Sequence, residues 1–313
     1  MEQQSITERV KKAAVEIGFD AVSVARADAL TSEMVHYQSW LSNGYHGLLG
    51  YMERNLDKKL DVRELLPGAR SVVVLARNYY TPFKHEPDAC GKISRYAWGD
   101  DYHEIMWPML NELAEVVEQL VPGTQSKGVV DTAPVMDKQW AVRSGLGWQG
   151  KHSNILRRDI GSWFFIGVLI TTAELETDDE YPDYCGSCTA CIEACPTGAI
   201  VEPYIVDATR CISYWTIEVK PEHQIPDTIV NELENWMFGC DICQNVCPWN
   251  RFQTPTTENG FLPRNGELGL DPEDVLNMDQ ASFSARFRKS PIKRTKLAGL
   301  QRSAEALKRT NKS

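Results

Sequence analysis

Cys185-Gly-Ser-Cys188-Thr-Ala-Cys191-Ile-Glu-Ala-Cys195-Pro196 decides how the rest of this chain is read. Three cysteines at two-residue gaps wrap one corner of an iron–sulfur cube, with the backbone amides between them facing its sulfides. The fourth cysteine lies one helical turn further on, and the proline after it turns the chain away. A second, broken copy follows as Cys211 and then Cys240-x2-Cys243-x3-Cys247-Pro248. In paired runs of this form the fourth cysteine ligates the other cluster. The expected sets are therefore Cys185, Cys188, Cys191 and Cys247 for one [4Fe–4S] cluster, and Cys195, Cys211, Cys240 and Cys243 for the other. Cys-x2-Cys pairs also build structural zinc sites, but two interlocked runs each ending in Cys-Pro favour iron and sulfide. Two neighbouring clusters make a short electron wire, and a wire needs a terminus.

The composition around this stretch fits a cytosolic redox protein. Eight of the nine cysteines fall between Cys185 and Cys247. In a reducing compartment, clustered thiols bind metal or do redox chemistry more often than they form disulfides. Cys90, alone in a polar loop, reads as a bystander. The 313 residues, 42% hydrophobic and 24% charged, suffice for about two domains with real cores. No stretch approaches the roughly 18–20 apolar residues of a membrane span. The N-terminus (MEQQSITERVKKAAVE) lacks the apolar run of a signal peptide. A cytoplasmic location without membrane contact is expected. Net charge is −10, yet residues 286–313 hold ten Lys/Arg against one acid, so the other 285 residues carry −19. A basic tail on an acidic body suggests one local contact with a polyanion. Taken alone, such a tail is more simply a solubilising, partly disordered terminus.

Three zones follow from pattern. In the first, Ser5-Ile-Thr-Glu8 is a capping box opening a helix that ends near Gly18. Apolar runs at 21–25 (AVSVA), 71–75 (SVVVL) and 163–171 (WFFIGVLIT) read as strands. Residues 103–120 place Ile105, Met109, Leu113, Val116, Val117 and Leu120 on one helix face. A strand at 128–131 leads into a helix from Pro134, a favoured first-turn residue. Strands separated by helices indicate an α+β chain whose first domain is α/β. An acidic linker at 174–183 (ELETDDEYPD) precedes the cysteine-rich zone. The expected division is 1–175 as an α/β catalytic domain, 176–255 as a ferredoxin-like double-cluster domain, and 256–313 as a short basic helical segment.

Within the first zone, Gly145-Leu-Gly147-Trp-Gln-Gly150-Lys151 matches G-x-G-x-x-G and nearly matches the phosphate loop. Context rejects both. The glycines follow an apparent helix rather than a strand, and His152 stands where Mg²⁺ needs Ser or Thr. They are expected instead to let backbone pass close to a flat, bulky ligand. Asp131 closes a strand, the usual side of a ligand crevice in an α/β sheet. A partly desolvated acid there would hold a proton to donate; the plainer role is capping the helix that follows. Asp137 reads as a solvated helix acid. Residues 95–103 (RYAWGDDYH) gather aromatic and ionisable groups before a helix, where Tyr102 and His103 in isolation are ordinary packing and capping residues.

Taken in order, RYAWGDDYH (95–103), VDTAPV (130–135), GLGWQGK (145–151) and CQNVCPWN (243–250) resemble the epoxyqueuosine reductases over most of the chain. The resemblance implies a cobalamin- and iron–sulfur-dependent enzyme that performs the last step of queuosine biosynthesis. It implies reduction of epoxyqueuosine at the wobble position of tRNAs with GUN anticodons (Asp, Asn, His, Tyr), with an external low-potential electron donor. The family's proton donor is the aspartate of Val-Asp-[Ser/Thr], which falls here on Asp131. The family's cobalamin lies between the N-terminal domain and the clusters, so residues 1–175 are implied to bind it. Positions matching its surroundings are Arg54, Tyr96, Tyr102, Asp131, Gly150 and Lys151. Clusters, proton donor and cobalt together meet the needs of epoxide reduction.

Two departures qualify the resemblance. Methionine-synthase-like proteins offer cobalt a histidine from Asp-x-His-x-x-Gly; Asp101-Tyr-His103 begins that pattern, but Met106 replaces the glycine. No side-chain imidazole is therefore expected on cobalt. Many relatives continue into helical repeats that help hold tRNA, whereas this sequence ends at Ser313, and its basic tail is expected to substitute through phosphate contacts. The rivals are a reductive dehalogenase, whose respiratory members carry a twin-arginine export signal not seen here, and a pure electron-transfer protein. A two-cluster ferredoxin needs only a fraction of this length, so the first zone would then lack a purpose.

Overall fold

The computed structural model describes residues 4–86, 89–264 and 268–310. Four strands form its main sheet: β1 (Ala21–Arg26), β2 (Ser71–Asn78), β3 (Ser126–Val129) and β4 (Phe164–Thr171), ordered β1-β2-β4-β3. β2 is buried along its whole length, with Val72 and Val74 in one core and Val73 and Leu75 in another. Valine and isoleucine suit such a sheet because branched side chains pack well on a pleated surface. Ser71 pairs with Thr171 and Asn78 with Phe164.

Every pairing in this sheet is antiparallel. The expected α/β first domain is thus corrected to an antiparallel α+β layer. The error has a physical origin. An antiparallel sheet covered on both faces needs the same unbroken apolar runs as a parallel one, so the runs alone do not tell the two apart.

Helix α1 (Ile6–Ile17) opens on the expected capping box and closes at Gly18, whose φ of 117° suits glycine. Helix α2 spans Thr31–Ser42, and helix α3 spans Tyr102–Leu120 with Asp101 as its N-cap. The buried stripe of α3 is Met106, Leu110, Leu113 and Val117, turned from the expected face through Ile105 and Met109. Gly128 and Gly167 decide the turn. A Cβ at Gly128 would stand 2.9 Å from Leu110 Cβ, and one at Gly167 3.1 Å from Met106 Cε. The sheet is therefore hollowed for those two side chains.

Helix α4 (Asp137–Arg143) begins three residues after Pro134 and packs Trp140 on the other face of the sheet. The strand before it ends at Val129, so the expected strand end at Asp131 is also corrected.

The basic tail is not a loose terminus over its described residues. Helix α5 (Lys296–Thr310) buries Leu300, Ala304 and Leu307 against a core that includes Trp236, Phe238, Phe283 and Phe287. Several of its cations are spent internally. Lys289 meets Glu104 at 3.3 Å, Arg294 meets Glu218 at 2.9 Å and Arg309 meets Asp227 at 3.1 Å.

Arg95 straps the first zone to the cysteine zone. Arg95 is 9% exposed, and its guanidinium lies 4.9, 4.5 and 4.9 Å from the rings of Tyr80, Trp98 and Trp163. Its backbone N–H donates to Asp241 Oδ2 at 2.7 Å, beside Cys240. A planar cation that stacks on aromatic faces suits a desolvated junction of this kind. Among the described residues no helix is long and apolar enough to cross a membrane.

Candidate active site and cluster cavities

A cavity of about 710 Å³ separates the two zones. Tyr96, Tyr102, His103 and Asp131 line it from one side, and Cys195, Cys211, Cys240 and Cys243 from the other. A second cavity of about 220 Å³ is lined by Cys185, Cys188, Cys191 and Cys247. We call these the inner and outer quartets. Cys247 lies within electrostatic reach of Cys185 and Cys191 although far from them in sequence. Cys243 feels Cys211 and Cys195, and also Cys191 of the other set. Burial raises the Cys247 thiol to about 11 and the Cys240 thiol well above the usual range. Such groups lose their protons when a metal takes them.

Cover varies within the outer quartet, where Cys188 is exposed, Cys191 buried and Cys185 and Cys247 half-buried, while all four inner cysteines are half-buried. Lys151 clasps the outer loop, its Nζ donating to Gly186 O at 2.6 Å and Cys188 O at 2.9 Å. Trp148, itself buried, stacks edge-on against Tyr184 and Trp249 at 5.1 Å each. The GLGWQGK stretch thus builds the floor of the outer quartet.

Its glycines make close protein contacts. A Cβ on Gly145 would sit 2.0 Å from Asp179 O, and one on Gly147 2.2 Å from Leu156 O. Gly150 likewise abuts Leu156 and His152. Arg54 is exposed, with its carbonyl accepting from Lys59 Nζ at 2.6 Å. Of the six positions matched to a cofactor, Tyr96, Tyr102 and Asp131 line the inner cavity; Arg54, Gly150 and Lys151 do not.

Asp131 adopts φ 54°, a left-handed conformation that costs a non-glycine residue on the order of 1 kcal/mol or more. Tyr102 Oη donates to its Oδ2 at 2.7 Å. The Tyr102 ring is stacked between His103 at 4.1 Å and Phe165 at 4.2 Å. Burial, and then the neighbouring Asp131 charge, push the Tyr102 phenol far above its ordinary pKa, so it stays a donor. The plainer role for Asp131 as a helix cap is overturned, since α4 has Met136 at its N-cap with no side-chain bond.

Asp137 is not a solvated acid. Its Oδ1 is buried with no hydrogen-bond partner among the described residues, and burial, reinforced by Asp131, holds its pKa well above the usual carboxylate value. His103 Nδ1 bonds Asp101 Oδ1 at 2.7 Å, leaving its Nε2 buried and unpartnered. His152 lines both cavities, and burial lowers it to about 4, so the ring is neutral at pH 7. Lys293, Arg294 and Glu218 complete the inner cavity. Nothing in the spacing of 218 and 294 announces that they meet.

Known proteins share this organisation. The family described as "4Fe-4S double cluster binding domain" matches residues 184–250, and "Epoxyqueuosine reductase QueG, DUF1730" matches 59–132. The epoxyqueuosine reductase of Cellulophaga algicola is 45% identical over 96% of this chain and 97% of its own. That of Synechocystis sp. is 47% identical over 86% of this chain and 93% of its own. A crystal structure of epoxyqueuosine reductase with a tRNA-Tyr epoxyqueuosine-modified tRNA stem loop superposes with a TM-score of 0.91 at 30% identity, covering 97% of this chain and 80% of that one. With relatives this similar along nearly its whole length, the chain belongs to the epoxyqueuosine reductase family.

Proposed function

We propose that this protein reduces epoxyqueuosine to queuosine at position 34 of tRNAs with GUN anticodons, the last step of queuosine biosynthesis. One observation carries the reading. A single cavity is lined both by the Asp131–Tyr102 pair and by four cysteines, and this reaction must bring a proton donor and an electron source to one atom. Removing the epoxide oxygen as water consumes two electrons and two protons.

The residues fit the groups this chemistry needs. Each quartet offers four thiolates, the ligand set of a [4Fe–4S] cluster. The inner cavity, at about 710 Å³, falls in the roughly 300–1,000 Å³ range of cofactor sites. Its wall combines Ile200, Ile212 and Ile217 with Tyr96 and Tyr102, which suits a broad, largely apolar corrin. These residues and Asp131 would hold cobalamin, whose cobalt supplies a redox centre able to engage a strained carbon–oxygen ring. Met106 stands where Asp-x-His-x-x-Gly has its glycine, and on that ground no side-chain imidazole is proposed for cobalt, although His103 lines the cavity. Nitrogen coupling from a side-chain imidazole in the electron paramagnetic spectrum of the bound cofactor, lost in His103→Gln, would reverse that assignment.

Tyr102 fixes the Asp131 carboxyl through its phenol. Asp131 passes a proton to the epoxide oxygen as the ring opens. Lys151 serves the reaction indirectly, by holding the outer cysteine loop. The division into a catalytic part (1–175), a cluster part (176–255) and a C-terminal part (256–313) is kept as a division of labour, the last lending Lys293 and Arg294 to the cavity rim for contact with tRNA. The cytosol is the natural setting for thiolate clusters and tRNA.

Mass spectrometry of nucleosides tests the whole. Epoxyqueuosine-containing tRNA, incubated anaerobically with the reconstituted protein and a low-potential reductant, should yield queuosine with cobalamin and none without it. Asp131→Asn should lower turnover about 10²–10⁴-fold while cobalamin binding persists. Full turnover in that variant would remove Asp131 as donor.

A further inference from the structure

Cys247 belongs to two hollows at once. It lines the outer cluster cavity, and it also lines an open groove of about 680 Å³. Lys84, Lys92, Arg95 and Arg251 give this groove four cations against two acids, Glu86 and Glu234. Among the described residues Lys84, Lys92 and Arg251 form no ion pair. A local surplus of positive charge here runs against a chain whose net charge is −10. Apolar groups accompany the cations. Val246, one residue from Cys247, is 39% exposed, and Phe83 and Phe252, next to Lys84 and Arg251, are each 46% exposed. On the other flank of the outer quartet the acidic linker ends at Asp183, which accepts from Cys185 N–H at 2.7 Å.

We infer that this groove receives a small acidic electron-carrier protein, which delivers electrons to the outer quartet at Cys247. The inference rests on the reading of the quartets as cluster ligands. The inner quartet shares its cavity with Asp131, so bound tRNA covers it, and a carrier must discharge at the outer one. The unpaired lysines steer an acidic partner, which raises the encounter rate more than the affinity. Val246 and Phe252 supply the small dry contact of a short-lived complex. The acidic linker repels the same partner from the wrong flank. Each encounter oxidises the carrier by one electron and reduces the outer cluster by one. No bond forms, and two encounters provide the two electrons that epoxide reduction consumes.

The test uses the protein with both clusters in place and a reduced flavodoxin, a small acidic flavoprotein, as probe. Stopped-flow mixing without oxygen reads the rate of flavin oxidation at several salt concentrations, and titration with oxidised flavodoxin reads binding. The Lys84→Glu/Lys92→Glu variant should react about tenfold more slowly at low salt, lose most of the salt dependence, and bind more weakly. Its reduction by dithionite, and its dithionite-driven conversion of epoxyqueuosine, should be unchanged. Lys84→Gln and Lys92→Gln singly should each give a smaller loss, which keeps the test open if the double reversal folds poorly. Rates and binding that ignore both lysines would overturn the inference. So would an equal loss from Lys12→Glu/Lys127→Glu, on α1 and β3, since net charge alone would then explain the effect. A protein that accepts electrons from flavodoxin yet converts no epoxyqueuosine fails the catalytic reading and keeps the docking one. One that turns over on dithionite with flavodoxin rates blind to the lysines does the reverse.

Discussion

The inner and outer quartets offer the same four thiols from differently spaced cysteines, and they live in different surroundings. The outer one sits under an exposed loop, clasped by Lys151 and floored by Trp148. The inner one faces Tyr102 and Asp131 across a large cavity. Cluster potentials follow charge, hydrogen bonding and solvent exposure, so the same ligands in these two settings make an electron path with a direction. The outer end reaches the surface at Cys188, and the inner end meets the cavity lined by Tyr102 and Asp131.

The sharpest way to break this comparison is to remove one cysteine from each set. Cys188→Ser and Cys243→Ser should each lower iron from about eight toward about four atoms per chain. Their effects on cobalamin should separate. Cys243→Ser damages the wall of the inner cavity and should weaken cobalamin binding about tenfold or more, whereas Cys188→Ser should leave it within about twofold. Equal losses in a cofactor titration would mean that the two cavities are not independent sites.

A smaller effect tests which end meets tRNA. Lys293 lines the inner cavity and forms no ion pair among the described residues, while Lys308 is held by Glu273 at 2.5 Å. Lys293→Ala should reduce the slope of log affinity against log salt by about one; Lys308→Ala and Lys84→Ala should leave it alone. Deleting residues 286–313 is the wrong experiment, because α5 is part of a core. An unchanged slope in Lys293→Ala would remove the C-terminal part from the tRNA contact.

What the sequence made legible follows from the range of the interactions. The capping box at Ser5, the strands around Val73 and Leu169, and the cysteine runs are local patterns whose chemistry is fixed by spacing. Strand direction was not legible, because two-sided burial erases the alternation that would separate antiparallel from parallel. The α3 stripe was ambiguous until Gly128 and Gly167 made room for Leu110 and Met106. The site divides the same way. Asp131 could be singled out from its motif, but its phenol partner Tyr102 stands 29 residues earlier and the rim pair Glu218–Arg294 is 76 residues apart. The helix in the basic tail was legible from its leucines, but its packing against Trp236 and Phe283 joins residues too far apart in sequence to be read there.

The smallest effect concerns Asp137, and it measures how dry the protein is beside the inner cavity. Burial holds this carboxyl neutral well above the usual range, so the folded chain binds a proton that the unfolded chain releases near pH 4. Between that pH and the raised folded value the fold is the more protonated state, and stability falls as pH rises through the window. Asp137→Asn removes the titration while keeping the shape. It should raise Tm by about 2–4 °C at pH 7, the shift that ~1 kcal/mol produces in a chain of this kind, and the gain should vanish below about pH 4. The matching change at the outer quartet, Asp183→Asn, should bring no gain. Asp183 is exposed, and its oxygens already accept from Cys185 N–H and from the Tyr204 hydroxyl. Thermal unfolding of both variants at pH 4 and pH 7 checks the pair. A gain at Asp137 that is the same at both pH values would mean that its carboxyl is not desolvated, and the contrast between a dry inner end and a wet outer end would lose its support at this position.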